Sequence, residues 1–165
     1  MAKLIKGQEL VAADNWQRIN DDQMAEDYAI ISLDRWIHQQ AELQPLADRG
    51  VLGVHLNADQ TADLLAEQCQ QFALISIDFP KFADGRGYSA ARLLREKYGF
   101  EGELRAVGDV LVDQVFFMQR TGFTSLALRE DQDENEALAA LKTFSAPYQT
   151  GTTETDSLFR RVQRG

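Results

Sequence analysis

The chain has 165 residues, 44% of them hydrophobic and 26% charged, with a net charge of −9 at pH 7. That length and balance suit one folded domain with a real core, and the acidic excess argues against free nucleic acid as a partner. A single cysteine, Cys69, excludes a disulfide within the chain and any cysteine-built zinc or iron–sulfur site.

No apolar run reaches membrane-spanning length, and "MAKLIKGQEL" lacks the apolar core of a signal peptide. The expectation is a cytoplasmic protein with no membrane partner. Residues 1–28 open with "LIKGQELVAADNWQRI", whose alternation around Lys6-Gly7 predicts a small hairpin. "NDDQMAED" then reads as an acidic surface linker.

Residues 29–144 alternate short apolar runs with segments of helical period. "AIISL" precedes "DRWIHQQAEL", "VLGVHL" precedes "ADQTADLLAEQCQQ", and "ALISIDF" precedes "YSAARLLREKYG". "ELRAVGD" precedes "VLVDQVFFMQRTG", and "SLALRE" precedes "ENEALAALKTF". These repeated βα units predict an α/β domain with a mostly parallel sheet of about five strands, as a partial barrel or an open sheet, beside the N-terminal hairpin. Five units are too few for a closed eight-stranded barrel. The open edges permit a homodimer.

The boundaries carry their own signals. Asn57 with Gln60 predicts a capping box, Ser89 or Asp84 an N-cap, and Gly99 and Gly122 left-handed C-terminal caps. Cys69 reads as a buried, inert thiol, and Phe116, Phe117 and Met118 read as core. Residues 145–165 have no periodicity and read as a flexible tail or docking arm bearing Arg160, Arg161 and Arg164.

Strands start near residues 29, 51, 73, 103 and 125, so one step is about 30 residues and the others about 22. The long step holds "FADGRGYS", residues 82–89, which predicts a loop of roughly eight residues where two to six is usual. It lies after the carboxyl end of a strand, the edge where α/β folds bind ligands. Gly85 and Gly87 permit positive φ, so that successive N–H groups can form an anion nest ahead of a helix start. Arg86 supplies a planar cation for phosphate, sulfate or carboxylate, and Asp84 can orient it or hold a polar substrate group. The alternative is a structural turn closed by an Asp84–Arg86 salt bridge.

Arg92 falls near the start of the following helix and can face the same site, whereas Arg95 reads as paired with a surface acid. In "ELRAVGDVLVDQ" the alternation puts Arg105, Val107 and Asp109 on one face. Arg105 then needs an acid, with Asp109 and Asp78 as the candidates, either in a site or in a structural ion pair. Gly108 permits a sharp exit, and Asp113 with Gln114 begins the next helix. Asp78, Asp109 and Glu130 end strands, where they can hold a divalent metal or cap helices. His55 lies near a strand end without a placed partner, and no nucleophile–base constellation emerges.

The run "FADGRGYSAARLLREKYGFEGELRAVGDVLVDQVFFMQRTGF", residues 82–123, resembles a bacterial family of unknown function, usually encoded beside the sulfite reductase hemoprotein. Its members are often labelled probable oxidoreductases of sulfite reduction. The resemblance is concentrated in "DGRGYS", "LLRE", "GELRAVGDVL" and "DQ" and extends loosely over residues 29–130. It points to Asp84, Gly85, Arg86, Gly87, Tyr88, Ser89, Arg105, Gly108, Asp109 and Gln114, without assigning roles. It implies an accessory protein of assimilatory sulfate reduction, with the hemoprotein as a candidate partner; the loop amides, Arg86 and Arg105 add the expectation that it binds a small oxyanion or a partner's acidic group at residues 82–89. The chain has no Rossmann fingerprint, cysteine cluster or haem motif, so the label names no cofactor. A metal-assisted enzyme and a non-catalytic docking subunit are the alternatives.

Overall fold

The computed structural model describes residues 3–81 and 85–144. Its centre is one eight-stranded sheet. A hairpin of β1 (Lys3–Lys6) and β2 (Glu9–Leu10) turns at Gly7, which takes a φ of +65°. There follow β3 (Gln17–Arg18), β4 (Ala29–Ser32), β5 (Leu52–Leu56), β6 (Leu74–Phe79), β7 (Glu103–Gly108) and β8 (Ser125–Leu128). The spatial order is β2-β1-β8-β7-β6-β5-β4-β3. β3 through β8 run parallel, while β1 is antiparallel to both β8 and β2. The sheet is therefore mixed and has eight strands, not about five parallel ones. The extra members are the hairpin, which joins the edge beside β8, and β3, too short to carry an alternation.

The order forces curvature. β2 and β3 are opposite edges, yet only residues 11–16 connect them. Seven residue steps reach at most about 25 Å, whereas seven strand spacings on a flat sheet cover about 34 Å. The sheet curls into a half-barrel, which brings its edges within reach of that strap.

Alternation assigns the two faces. Ile31, Val54, Leu56, Ile75, Ile77, Leu104, Ala106 and Leu126 form the buried core beneath the helices. The inner face carries a polar row instead. Through the strand register, Ser32, His55, Ser76, Arg105, Ser125 and Lys6 lie side by side across six strands.

The helices differ from expectation in three places. α1 (Leu33–Asp48) starts on Ser32, whose Oγ accepts from the Arg35 N–H at 3.1 Å, and contains Pro45. The segment after β5 is not an α-helix but a pair of 3₁₀ turns, Ala62–Leu64 and Ala66–Gln71, with Ala66 at a φ of +50°. Asn57 and Gln60 form half of the predicted box, the Asn57 N–H donating to Gln60 Oε1 at 2.8 Å. α2 (Arg86–Arg92) begins two residues before Tyr88 and is entered through Gly85, not capped by Ser89; it continues into a wider π turn over Leu93–Lys97. α3 (Val115–Thr121) follows a 3₁₀ turn over Val112–Gln114 and stops at Gly122, φ +130°. α4 (Glu134–Phe144) is capped by Asp133, whose Oδ1 accepts from the Asn135 and Glu136 N–H groups at 2.7 and 3.1 Å. Gly99 has the positive φ expected of it, and Cys69 is a buried free thiol. Met118 is core and Phe116 packs against it, but Phe117 is half exposed. Residues 145–165, with the predicted arm and its arginines, lie outside the described residues, as does Asp84.

Candidate functional site

β6 ends at Phe79 and α2 begins at Arg86, so the linker is residues 80–85, shorter than the spacing predicts. Gly85 enters the helix with a φ of +92°, and nothing crowds the place where a Cβ would stand. Its glycine character serves the turn. Gly87 serves a different purpose. It lies within α2 and lacks positive φ, and a Cβ there would sit 2.7 Å from Phe79 Cε2 and Cζ. The paired-glycine nest is therefore not formed: one glycine turns the chain and the other admits a ring.

Phe79 is buried among aromatic rings, 5.0 Å from Tyr88 and 5.5 Å from Phe123 by centroid, and Tyr88 is 4.9 Å from Phe117. Tyr88 is thus a packing residue. Burial, then the charge of Asp113, raises its hydroxyl above the ordinary value. Gly87→Ala should cost about 1–3 kcal/mol by overpacking this cluster, and Gly85→Ala about 1 kcal/mol or more through backbone strain. Thermal melts of both variants, with the near-ultraviolet signal of the aromatic rings, check the distinction. Only Gly87→Ala should alter that signal.

Arg86 and Ser89, in the first turn of α2, line a cleft with Gln60 and Thr61 of the loop after β5. Ala90 and Leu93 supply apolar wall, and the cleft holds about 80 Å³. That volume suits a small ion and excludes a nucleotide. Arg92 is exposed and borders a neighbouring open groove with Ser89, Leu93, Glu96 and Lys97. Gln114 is half buried at the end of the turn before α3 and is not part of the cleft.

Arg105 lies elsewhere. It is 6% exposed and sits in the inner polar row, near the amino ends of the strands. Its partners are neither Asp78 nor Asp109. Nη1 donates to Asp14 Oδ2 at 2.9 Å, Nη2 to Glu103 Oε2 at 2.7 Å, and Nε to Ser125 Oγ at 3.1 Å. Burial opposes the charge, but the hydrogen bonds to Asp14 and Glu103 outweigh it and hold Arg105 above its ordinary value. Asp14 belongs to the strap, so this contact pins residues 11–16 across the inner face. Arg95, predicted to pair with an acid, instead donates to the carbonyls of Phe100, Gly102 and Gly122 at 2.8–3.0 Å.

The strand-end acids do not converge. Asp109 accepts from Arg129 Nη1 at 2.5 Å, Arg129 also grips Asp131, and Glu130 is exposed. None of Asp78, Asp109 and Glu130 caps a helix. Among the described residues no group of three histidine, cysteine or acidic side chains is placed to hold a metal ion. The metal-assisted alternative built on these acids loses its ligand set.

The part of the chain that holds the cleft carries a family signature: residues 53–159 match the model for a bacterial protein of unknown function, DUF934. The chain belongs to the DUF934 family. The match begins in β5 and takes in the cleft, β6 to β8 and the helices between them, and it runs beyond the described residues. β1 to β4, with the Asp14 strap, lie outside it. No curated protein matches this DUF934 sequence. No helix among the described residues is long and apolar enough to cross a membrane.

Two residues unremarked by the sequence reading belong to the inner face. Arg18 is one, and Ser76 is the other, its Oγ 2.7 Å from His55 Nδ1. The available signal was polarity: His55 interrupts an otherwise apolar, buried β5, and Ser76 is a polar residue buried in the middle of β6.

Proposed function

We propose that this DUF934 protein binds a small oxyanion at the carboxyl edge of the parallel strands, as an accessory protein of assimilatory sulfite reduction. The observation that carries the binding is that Arg86, Ser89, Gln60 and Thr61 line one small cleft whose remaining wall is apolar. Arg86 offers a fixed positive charge, and the hydroxyl and amide groups offer donors to tetrahedral or pyramidal oxygens. Arg105 is not part of this site, because its N–H groups are engaged by Asp14, Glu103 and Ser125. The sulfur assignment rests on the family resemblance, and the sulfite reductase hemoprotein is the proposed partner.

Calorimetry with sulfite, sulfate and adenylylated sulfate tests the reading. Sulfite or sulfate should bind, and Arg86→Ala should weaken binding by about tenfold or more. Binding should also weaken with added salt, as expected for a partly exposed charge. No heat from any of the three at millimolar concentration, together with normal sulfite reduction in cells carrying Arg86→Ala, would refute it.

A further inference from the structure

The Arg86 cleft does not stand alone on α2. A larger groove of about 550 Å³ lies beside it, lined by Ser89, Arg92, Leu93, Glu96 and Lys97. Ser89 and Leu93 line both spaces, so cleft and groove adjoin across a shared wall. Helical spacing accounts for the pair. Arg86, Ser89, Ala90 and Leu93 follow the i, i+3, i+4, i+7 steps of one face, and Ser89, Arg92, Leu93 and Glu96 repeat those steps about one turn on.

The charges of the groove are not equivalent. Lys97 Nζ is 3.6 Å from Asp63 and 5.2 Å from the centre of the Tyr98 ring, so it is already engaged. The Arg92 side chain is exposed and has no hydrogen bond or ion pair among the described residues. Glu96 stands about one turn beyond Arg92, on the side away from Arg86. Arg92 follows Arg86 by about 9 Å of helical rise. A free inorganic ion uses the cleft alone. A longer molecule reaches both cations, with its body along Leu93 and the aliphatic stem of Arg92. The planar guanidinium of Arg92 is suited to a carboxylate held bidentately. Glu96 repels an anion placed farther on, which bounds the length of the ligand.

We propose that cleft and groove form one site for an organic dianion, with an oxyanion such as a sulfonate at Arg86, a carboxylate at Arg92, and a short carbon body lying on Leu93. The proposal rests on the oxyanion reading of the cleft and names the class of molecule that carries the oxyanion. Arg92 is the residue that distinguishes this ligand from a free ion.

Calorimetry of the full chain with 4-sulfobenzoate, benzenesulfonate and inorganic sulfate tests it. 4-Sulfobenzoate should bind about tenfold or more tighter than benzenesulfonate, which has the same ring and sulfonate without the carboxylate. In Arg92→Gln the ratio between the two should fall to about one, and in Arg86→Ala both should weaken by about tenfold or more. Arg92 is exposed, so its variant should fold, and a thermal melt verifies it. Equal affinity of the two sulfonates for the unsubstituted protein, or a ratio that survives Arg92→Gln, overturns the two-cation site. Sulfate binding alongside either result leaves the oxyanion reading standing, so the two failures are distinguishable. No heat from any of the three at millimolar concentration overturns the dianion site together with the reading it rests on.

Discussion

Arg105→Ala should destabilise the protein by about 3–5 kcal/mol, the range for stripping one partner from a buried ion pair. The guanidinium is 6% exposed, and its removal leaves Glu103, Ser125 and Asp14 without their shared donor. Glu103 suffers most. Burial pushes its carboxyl up, and hydrogen bonds from Arg105, Ser125 and Lys6 bring it below its ordinary value. Lys6 alone, 3.0 Å away and more than half exposed, cannot replace a buried guanidinium. Arg105→Lys should recover only part of the loss, because one ammonium cannot reach three partners set around a planar fork. Arg105→Met combined with Glu103→Leu should recover most of it, since replacing a buried pair by apolar groups is often neutral. Urea midpoints of the three variants measure this. A loss for Arg105→Ala within about 0.5 kcal/mol would place the guanidinium in solvent. The same variant should loosen the strap, seen as faster amide exchange over residues 11–16.

The strap also marks the boundary of what the sequence reveals. The alternation in β7 separates Arg105 and Val107 from the core-facing Leu104 and Ala106, as the structure has it, but Asp109, grouped with Arg105 by the same alternation, lies past the strand's end at Gly108 and pairs with Arg129. The partner of Arg105 was not legible: Asp14 lies 91 positions away, in the stretch read as part of an N-terminal hairpin. β3 is two residues long, so no alternation can announce it. The segment after β5 misleads for a definite reason. Ala62, Leu65 and Cys69 are buried at spacings of three and four, which a chain of 3₁₀ turns satisfies as well as an α-helix does. The cleft is a mixed case. Arg86 and Ser89 stand out in the sequence through their loop and helix start, while Gln60 and Thr61 join them only through the packing of the turn after β5 on α2. Glycine alone does not reveal its purpose, since Gly85 and Gly87 look alike in the sequence and differ in φ and in what they touch.

Acidification should remove about 3 kcal/mol of stability through His55 alone. Burial first, then the charge of Arg18, push the His55 imidazole from 6.5 down to about 4. In the unfolded chain the ring titrates at the ordinary value, so below it the unfolded state binds a proton that the folded state refuses. The contribution is therefore complete above pH 6.5 and is lost as pH falls towards about 4, at about 1.4 kcal/mol per unit. The groups facing the ring do not reverse this sign. Arg18 stays cationic throughout and Ser76 does not titrate. Burial, opposed by Arg18, raises Asp78 above its ordinary value, so the folded state binds that proton more readily than the unfolded one and offsets part of the loss. His55→Gln keeps a side chain able to bond Ser76 but cannot titrate, so its stability should be flatter across the window by about 3 kcal/mol. Urea unfolding of both proteins across that range reads the difference directly, and the other carboxylates cancel because both chains carry them. Parallel curves would mean that His55 accepts its proton in the fold. That outcome would require water or an acid beside Nε2, and would make the inner face a solvated channel in place of the dry polar layer set by His55, Ser76, Arg105 and Ser125.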